Sequence, residues 1–290
     1  MRYLDLFSGI GGFALAVKRR FHNVKSYHSE INRYANKVYD KHFPYSFSLG
    51  DVENVRASYF RDRRVDLFTA GFPCQSFTNM GKREKFGDDN GRLFFKTVEL
   101  LRKIRPRYFI LENVASMENS IKKKINYMVR KSYSKKTFCT LLDSKFFSAQ
   151  VRKRLFWTNF KVNKVIDRKN VLLQDILVSG TALGDKARTL LRDDGRNLHE
   201  TWPRFYNSAN AVFKGKTSIS KVDLYRKLSL MKTRKESSKT FRLLFPIEYE
   251  RLQTFPDNWT DVNLSTKARC SLLGNSVTVD VISHILTSIP

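Results

Sequence analysis

The sequence predicts an α/β protein built on an open sheet, and three observations carry that prediction. Short apolar runs alternate with stretches of helical spacing over roughly the first 160 residues. The first run, residues 2–8, is followed at once by Gly9-Ile10-Gly11-Gly12 and then by a helical pattern, a strand–glycine turn–helix layout. A later run, residues 65–70, is rich in strand formers and breaks abruptly at Gly71 and Pro73.

Taken in order, residues 2–8 form a first strand and residues 13–21 a helix with apolar positions on one face. A second strand over residues 23–29 ends on Glu30, and residues 31–43 follow as a helix. A third strand over residues 45–49 leads to Gly50-Asp51-Val52, and residues 54–64 read as a basic helix. The run at 65–70 is the fourth strand, and residues 78–92 read as a long polar loop, either a lid or a substrate-contacting loop. Helical spacing returns over residues 92–104 and Pro106 ends it. Residues 108–114 are a fifth strand, very apolar until Glu112. A basic helix and turn at 121–136 precede two further strands at 137–144 and 154–160.

Residues 161–240 change character, with weak periodicity and repeated turn signals. Lysine and arginine are interspersed there with Trp202, Phe205, Tyr206 and Tyr225, a mixture suited to a nucleic-acid surface. The expected organisation is therefore a main domain over 1–160, a small irregular domain over 161–240 and a return to the main domain over 241–290. In the last part, residues 246–253 are a short helix opened by proline, residues 273–277 a turn, and residues 279–289 an apolar-faced helix.

Composition narrows the function classes. Lys and Arg number 54 against 27 Asp and Glu, a formal net charge of +27. That imbalance costs self-repulsion and points to a polyanionic partner, nucleic acid before an anionic membrane. No apolar run is long enough to span a bilayer, and residues 1–6 lack a signal-peptide layout, so a cytoplasmic protein, nuclear or nucleoid-associated depending on the host and not secreted, is expected. The three cysteines, Cys74, Cys139 and Cys270, are too few and scattered for a disulfide framework or a zinc site.

Several residues stand where an open α/β sheet gathers its ligands, beyond the carboxyl ends of its strands. Cys74, flanked by Pro73, Gln75 and Ser76, is a candidate nucleophile there; a small buried apolar residue is the alternative. Glu30 lies about 20 positions past the glycines, placed for ribose hydroxyls, with capping of the next helix as the alternative. Glu112 closes a buried strand beside Asn113; burial would favour its protonated form, suiting a group that shares a proton near neutrality. Strand alternation would put Gln150, Arg152 and Arg154 on one face, three polar groups converging on a phosphate or a planar ring edge.

These segments appear in one order: Asp5-Leu-Phe-Ser-Gly-Ile-Gly-Gly12, Gly71-Phe-Pro-Cys-Gln-Ser76, Glu112-Asn-Val114, Gln150-x-Arg152-x-Arg154, Glu250-Arg-Leu-Gln253 with Phe255-Pro256, and Gly274-Asn-Ser-Val277. Together they resemble the ordered motifs of the cytosine-C5 DNA methyltransferases. The resemblance covers roughly the first 160 and last 50 residues and leaves the middle as the variable target-recognition domain. It implies a Rossmann-like seven-stranded methyltransferase sheet with helices on both faces and the last strand antiparallel. It implies S-adenosylmethionine as cofactor, S-adenosylhomocysteine as product and no metal.

Position by position, the resemblance places Phe7, Ser8, Gly9, Gly11 and Gly12 around the cofactor. Glu30 falls on its ribose, Ile31 on a face of its adenine, and Asp51 and Val52 by the adenine amino group. Pro73 and Leu93 line the cofactor pocket, and Asn275, Ser276 and Val277 form its wall near the methionine part. Cys74, Glu112, Arg152 and Arg154 are implied as catalytic, and Gln75, Ser76, Asn113 and Gln150 as substrate-binding. Residues 146–149 depart from the usual Gly-Val-Pro before the glutamine, and Thr69-Ala70 from a common glycine; neither touches a catalytic group. The implied partner is double-stranded DNA bound by a monomer without a membrane, with a separately encoded restriction endonuclease as an optional companion.

Three rivals are weighed against this reading. A tRNA cytosine methyltransferase of the same family usually has a second proline before the cysteine and another after the glutamine; Phe72-Pro-Cys-Gln-Ser76 has neither. A non-catalytic nucleic-acid-binding module would be favoured by loss of Cys74, Glu112 or the glycine turn, and all are intact. A dehydrogenase reading of the glycine turn leaves Cys74, Glu112 and the charge unexplained.

Overall fold

The computed structural model describes residues 1–73, 89–133, 136–163, 166–190, 210–215, 220, 223 and 239–290, with the side chains of 89 and 90 excepted. Ten strands and eight helices are described: β1 Arg2–Leu6, β2 Lys25–Ser29, β3 Phe47–Ser48, β4 Leu67–Gly71, β5 Tyr108–Val114, β6 Phe138–Asp143, β7 Lys153–Thr158, β8 Thr181–Ala182, β9 Val212–Phe213 and β10 Phe241–Arg242. The helices are α1 Gly12–Arg20, α2 Arg33–His42, α3 Asp89–Ile104, α4 Asn119–Ser132, α5 Leu173–Ile176, α6 Pro246–Leu252, α7 Thr266–Asn275 and α8 Val279–Leu286.

The chain divides into two compact units. The first comprises Met1–Leu142, Lys153–Ile166 and Val281–Pro290; the second comprises Asp143–Arg152 and Asp167–Asp280. This division differs from the expected one at three points, the first being that the first unit runs to Ile166 rather than to residue 160. The segment holding Gln150 and Arg152 joins the second unit, and the return to the first comes at residue 281 rather than 241.

The first unit holds a seven-stranded sheet in the order β3-β2-β1-β4-β5-β7-β6. Strands β1 to β5 pair in parallel, and β7 runs antiparallel to β5. Strands buried on both faces read as continuous apolar runs, which is why Leu67–Gly71 and Tyr108–Val114 were legible without alternation. The chain builds outward from β1 to β3, then returns to place β4 on the other side of β1. That reversal is the topological switch point, and ligands of such sheets bind beyond its carboxyl ends. Helix α2 is started by Asn32, whose Oδ1 accepts from the Tyr34 and Ala35 amides. The core packs Leu4, Leu6, Phe68, Ala70, Phe109 and Leu111 of the sheet against Phe94, Val98, Leu101, Ile121, Ile125 and Val129 of α3 and α4.

Two predicted elements are corrected. Residues 54–64 are not a helix but part of two short 3-10 turns, Val52–Asn54 and Ala57–Phe60. Val55 and Phe60 are both buried, and a spacing of five residues puts them on different sides of an α-helix. The chain buries both by breaking between them. The turn expected at 273–277 starts inside a helix: α7 runs to Asn275, with Cys270, Leu272 and Leu273 buried, and only then does the chain leave it. In the second unit, β8, β9 and β10 form a small antiparallel sheet in the order β10-β9-β8.

Candidate active site

The glycine turn sits at the carboxyl end of β1. Phe7, Gly9 and Gly11 all have left-handed backbone, at φ 56°, 54° and 85°. A Cβ on Gly11 would come within 2.5 Å of the Phe43 ring, so this position requires glycine on two counts. Glu30, at the end of β2, fixes the turn: its Oε2 accepts from the Gly9 amide at 2.9 Å. Its Oε1 accepts from the amides of Ile31 and Asn32 at 2.9 and 2.8 Å. The carboxylate thus ties the glycine turn to the chain entering α2, while the helix itself is capped by Asn32. Ile31 is 74% exposed beside it, an aliphatic surface with no core to cover. Asp51 caps the turn after β3 by accepting from the Glu53 amide at 3.0 Å, with Val52 buried next to it. Leu93, on α3, is half-buried against the core.

Beneath the turn lies a buried polar layer. Asp5 accepts from the Thr69 hydroxyl at 2.6 Å, and Thr69 in turn shares a hydrogen bond with the Tyr3 hydroxyl at 2.8 Å. Burial pushes the Asp5 carboxyl up to about 7, with Glu30 adding to the rise and the Thr69 and Tyr3 hydrogen bonds opposing it. The Tyr39 ring stacks on His28 at 4.1 Å; burial raises the tyrosine hydroxyl well above its ordinary range and lowers the imidazole.

At the carboxyl ends of β4 and β5, Gly71 stands in register with Glu112. A Cβ on Gly71 would lie 3.5 Å from Glu112 Oε2, an ordinary contact, so the two residues are direct neighbours across the ladder. Glu112 Oε1 is held by Arg154 Nε at 3.0 Å, with the two side chains 12% and 15% exposed. Arg154 reaches it because Val114 and Arg154 are partners across the antiparallel β5–β7 ladder. Asn113 is buried and spends its amide on the backbone, donating to the Phe72 carbonyl at 3.1 Å and accepting from the Val114 amide. It thus ties down the residue preceding Pro73. Cys74, Gln75 and Ser76 lie outside the described residues, as do residues 78–88 of the expected loop and Trp202, Phe205, Tyr206 and Tyr225; residues 89–92 of that loop belong to α3.

The expectation that Gln150, Arg152 and Arg154 converge is corrected. Strand β7 begins only at Lys153, so no strand alternation aligns the three. Gln150 is fully buried, its Oε1 accepting from the Leu190 amide and its Nε2 donating to the Leu252 carbonyl. The buried Arg152 guanidinium donates to the carbonyls of Leu190, Gly274 and Ser276 at 2.9, 3.0 and 2.8 Å. Arg152 is a strut for the chain around Asn275. Gln253 braces the same stretch, donating to the Leu273 and Ser276 carbonyls and accepting from the Thr278 hydroxyl. Asn275 is left exposed at the helix end, Ser276 is half-buried and Val277 is buried. Glu250, in the same motif, is buried and accepts from the Asn258 and Thr260 amides and from Arg269. The sequence signal for these struts was their polarity inside apolar neighbourhoods, which does not say whether the partner is ligand or backbone.

An open, mostly parallel sheet with a glycine turn at its switch point, acids at the carboxyl ends of β2, β3 and β5 and a part-buried Glu–Arg pair defines a Rossmann-like α/β enzyme unit. The comparisons narrow this class. The profile of the family described as C-5 cytosine-specific DNA methylase matches residues 1–290, and the chain belongs to that family. It is a DNA cytosine-5-methyltransferase. Among similar proteins, the type II methyltransferase M.HhaI of Haemophilus parahaemolyticus is 27% identical over 100% of this chain and 94% of its own length. M1.ScrFI of Lactococcus lactis subsp. cremoris is 27% identical over 98% of this chain and 76% of its own. The fold is shared with the Dnmt2 methyltransferase of S. pombe, at a TM-score of 0.75 and 20% identity, covering 99% of this chain and 97% of that one.

Proposed function

We propose that the chain transfers the methyl group of S-adenosylmethionine to C5 of a cytosine flipped out of a specific short duplex sequence, through a covalent Cys74–C6 adduct. The observation that carries this reading is the ion pair between Glu112 at the end of β5 and Arg154 of β7, with Glu112 in register with Gly71, which lies three residues before Cys74 in sequence. Cytosine C5 is too weak a nucleophile to take a methyl group unaided. A thiolate from Cys74 adding at C6 makes C5 enamine-like. Glu112 faces N3 and the exocyclic amine and stabilises the charge that develops there, and Arg154 holds both the carboxylate and the base edge. Loss of the C5 proton then expels Cys74 and restores the ring. The base must leave the stack for this, at a cost of a few kcal/mol, which phosphate contacts from the basic surface offset.

The residues around the glycine turn fit the cofactor. The turn brings backbone close to a ligand, Glu30 offers a carboxylate where ribose hydroxyls would lie, and exposed Ile31 offers an apolar face to a purine. S-adenosylmethionine supplies an electrophilic methyl group on a cationic sulfur. Asp51 and Val52 accompany the adenine amino group, Phe7, Ser8, Gly12, Pro73 and Leu93 line the site, and Asn275, Ser276 and Val277 contact the methionine part. Gln75 and Ser76 are assigned to the substrate, and residues 161–240 to target recognition. Arg152, Gln150 and Asn113 serve as positioning residues rather than as groups that touch the base. The similarity to type II methyltransferases supports a companion restriction endonuclease encoded separately.

The test is transfer of labelled methyl from S-adenosylmethionine to unmethylated duplex DNA, followed by bisulfite mapping, with Cys74→Ser alongside. Label on cytosine C5 that the serine variant loses supports the reading and returns the recognition sequence. Transfer to RNA and not to DNA would move the substrate assignment to RNA, and transfer to neither would sink the catalytic reading.

A further inference from the structure

The amino-terminal edge of the seven-stranded sheet, opposite the crevice, carries a feature that the reaction does not use. The turns entering β4 and β5 are joined: the Arg107 amide donates to the Val65 carbonyl at 3.0 Å and the Tyr108 amide to the Asp66 carbonyl at 2.8 Å. They present Arg63, Arg64, Arg105 and Arg107, all exposed. Arg130 and Lys131, in the last turn of α4, and Lys136, before β6, are exposed as well. Tyr133 ties the pieces together. Its hydroxyl donates to the Pro106 carbonyl and accepts from Asn159 Nδ2, which also donates to the Arg107 carbonyl. Arg64 and Arg105 both lie close enough to act on that phenol.

None of these seven cations forms an ion pair with an acid among the described residues, whereas Lys103 pairs with Glu99 and Arg92 with Glu53 nearby in sequence. The acids on the same turns are Asp62 and Asp66, and Asp66 already accepts from the Arg2 amide at 2.8 Å. Four of the seven lie against rings: Arg63 over Tyr59, Arg107 over Tyr108, Lys131 over Tyr127 and Lys136 over Phe138. Such contacts limit the rotamers that must be frozen when a partner binds. Five of the seven are arginines, whose planar fork suits phosphate oxygens. Along β5, Glu112 lies four residues, about 13 Å, beyond Tyr108 at this edge. A duplex engaged at the crevice would have to fold back on itself to reach here, at a steep bending cost.

We infer that this amino-terminal edge is a second nucleic-acid-binding surface, taking the phosphate backbone of a duplex segment other than the one in the crevice. It deepens the proposed function and rests on it, because it gives the enzyme a direct route from one DNA segment to another. Such a route makes dissociation from the first segment depend on the concentration of the second.

The experiment follows release of a fluorescent short duplex from the intact protein against rising concentrations of unlabelled non-specific duplex. It is run for the wild type and for an Arg64→Gln, Arg105→Gln, Arg107→Gln triple variant, with polyglutamate as a parallel competitor. The expected result is a wild-type release rate that climbs with competitor DNA, severalfold over the range, and a flat rate in the triple variant. Polyglutamate should leave both unchanged. A flat wild-type rate, or equal acceleration in the variant, would overturn the inference; equal acceleration by polyglutamate would overturn the nucleic-acid assignment. Melting curves and the labelled methyl-transfer assay on the same preparations separate the two readings. An inactive wild type with competitor-driven release would fail the proposed reaction and leave this surface standing.

Discussion

Asp5 carries the sharpest pH dependence the fold implies. It is fully buried, its carboxyl is raised from its ordinary 3.8 to about 7, and the Thr69 hydroxyl is its donor. For a raised carboxyl the folded state binds the proton more tightly than the unfolded chain. The resulting stability is fully present below the ordinary value and is lost as pH rises through about 7, with a ceiling of about 4 kcal/mol. Urea unfolding of the wild type should therefore weaken between pH 5 and pH 8, and Asp5→Asn should flatten that trend. A variant that keeps the wild-type trend would show that other groups set it. At the crevice, Arg154→Ala would leave the Glu112 carboxylate without its charge partner at 12% exposure. A loss of about 3 kcal/mol in stability is expected, together with a fall in kcat of roughly a hundredfold or more. Thermal melts and steady-state kinetics on the same variant read both.

At the scale of elements, helix α7 and the chain after it are organised from outside by Arg152 and Gln253. Replacing Arg152 with lysine keeps the charge and removes the fork that spans three carbonyls. If Arg152 positions the Asn275–Val277 stretch for the cofactor, its KM for S-adenosylmethionine should rise about tenfold while kcat changes little. A fall in kcat with KM unchanged would instead make Arg152 catalytic. The same helix shows where sequence reading stops. The span 108–114 was legible to the residue because a run buried on both faces and preceded by Pro106 admits few other structures. The glycine turn was legible because backbone geometry enforces it, whereas the order of strands in the sheet was not read from the residues. By contrast, Gly274 looked like a turn because glycine usually ends helices, yet it is buried inside the last turn of α7. Val55 and Phe60 looked helical until both had to be buried. Polar side chains were assigned to a ligand wherever a buried backbone group was the partner, as with Arg152, Gln150 and Asn113.

Across the whole molecule the excess of 27 positive charges sets the terms on which DNA is met. If 6 to 10 phosphates are neutralised, affinity should fall about 10³- to 10⁵-fold between about 50 and 200 mM salt, as counterions cease to be released. Titration of a duplex at several salt concentrations checks this, and a slope near zero would mean that the charge does not serve DNA binding. Beneath this surface, the central claim is chemical: Cys74 attacks C6 of the target base. It is tested most directly with a duplex carrying 5-fluorocytosine at the mapped position, in the presence of S-adenosylmethionine. Fluorine cannot leave as the C5 proton does, so the adduct should persist through denaturation. Peptide mass analysis should place the methylated nucleotide on Cys74, with none formed by Cys74→Ser. Turnover on ordinary DNA with no trapped species, or a trapped species on another residue, would contradict the account.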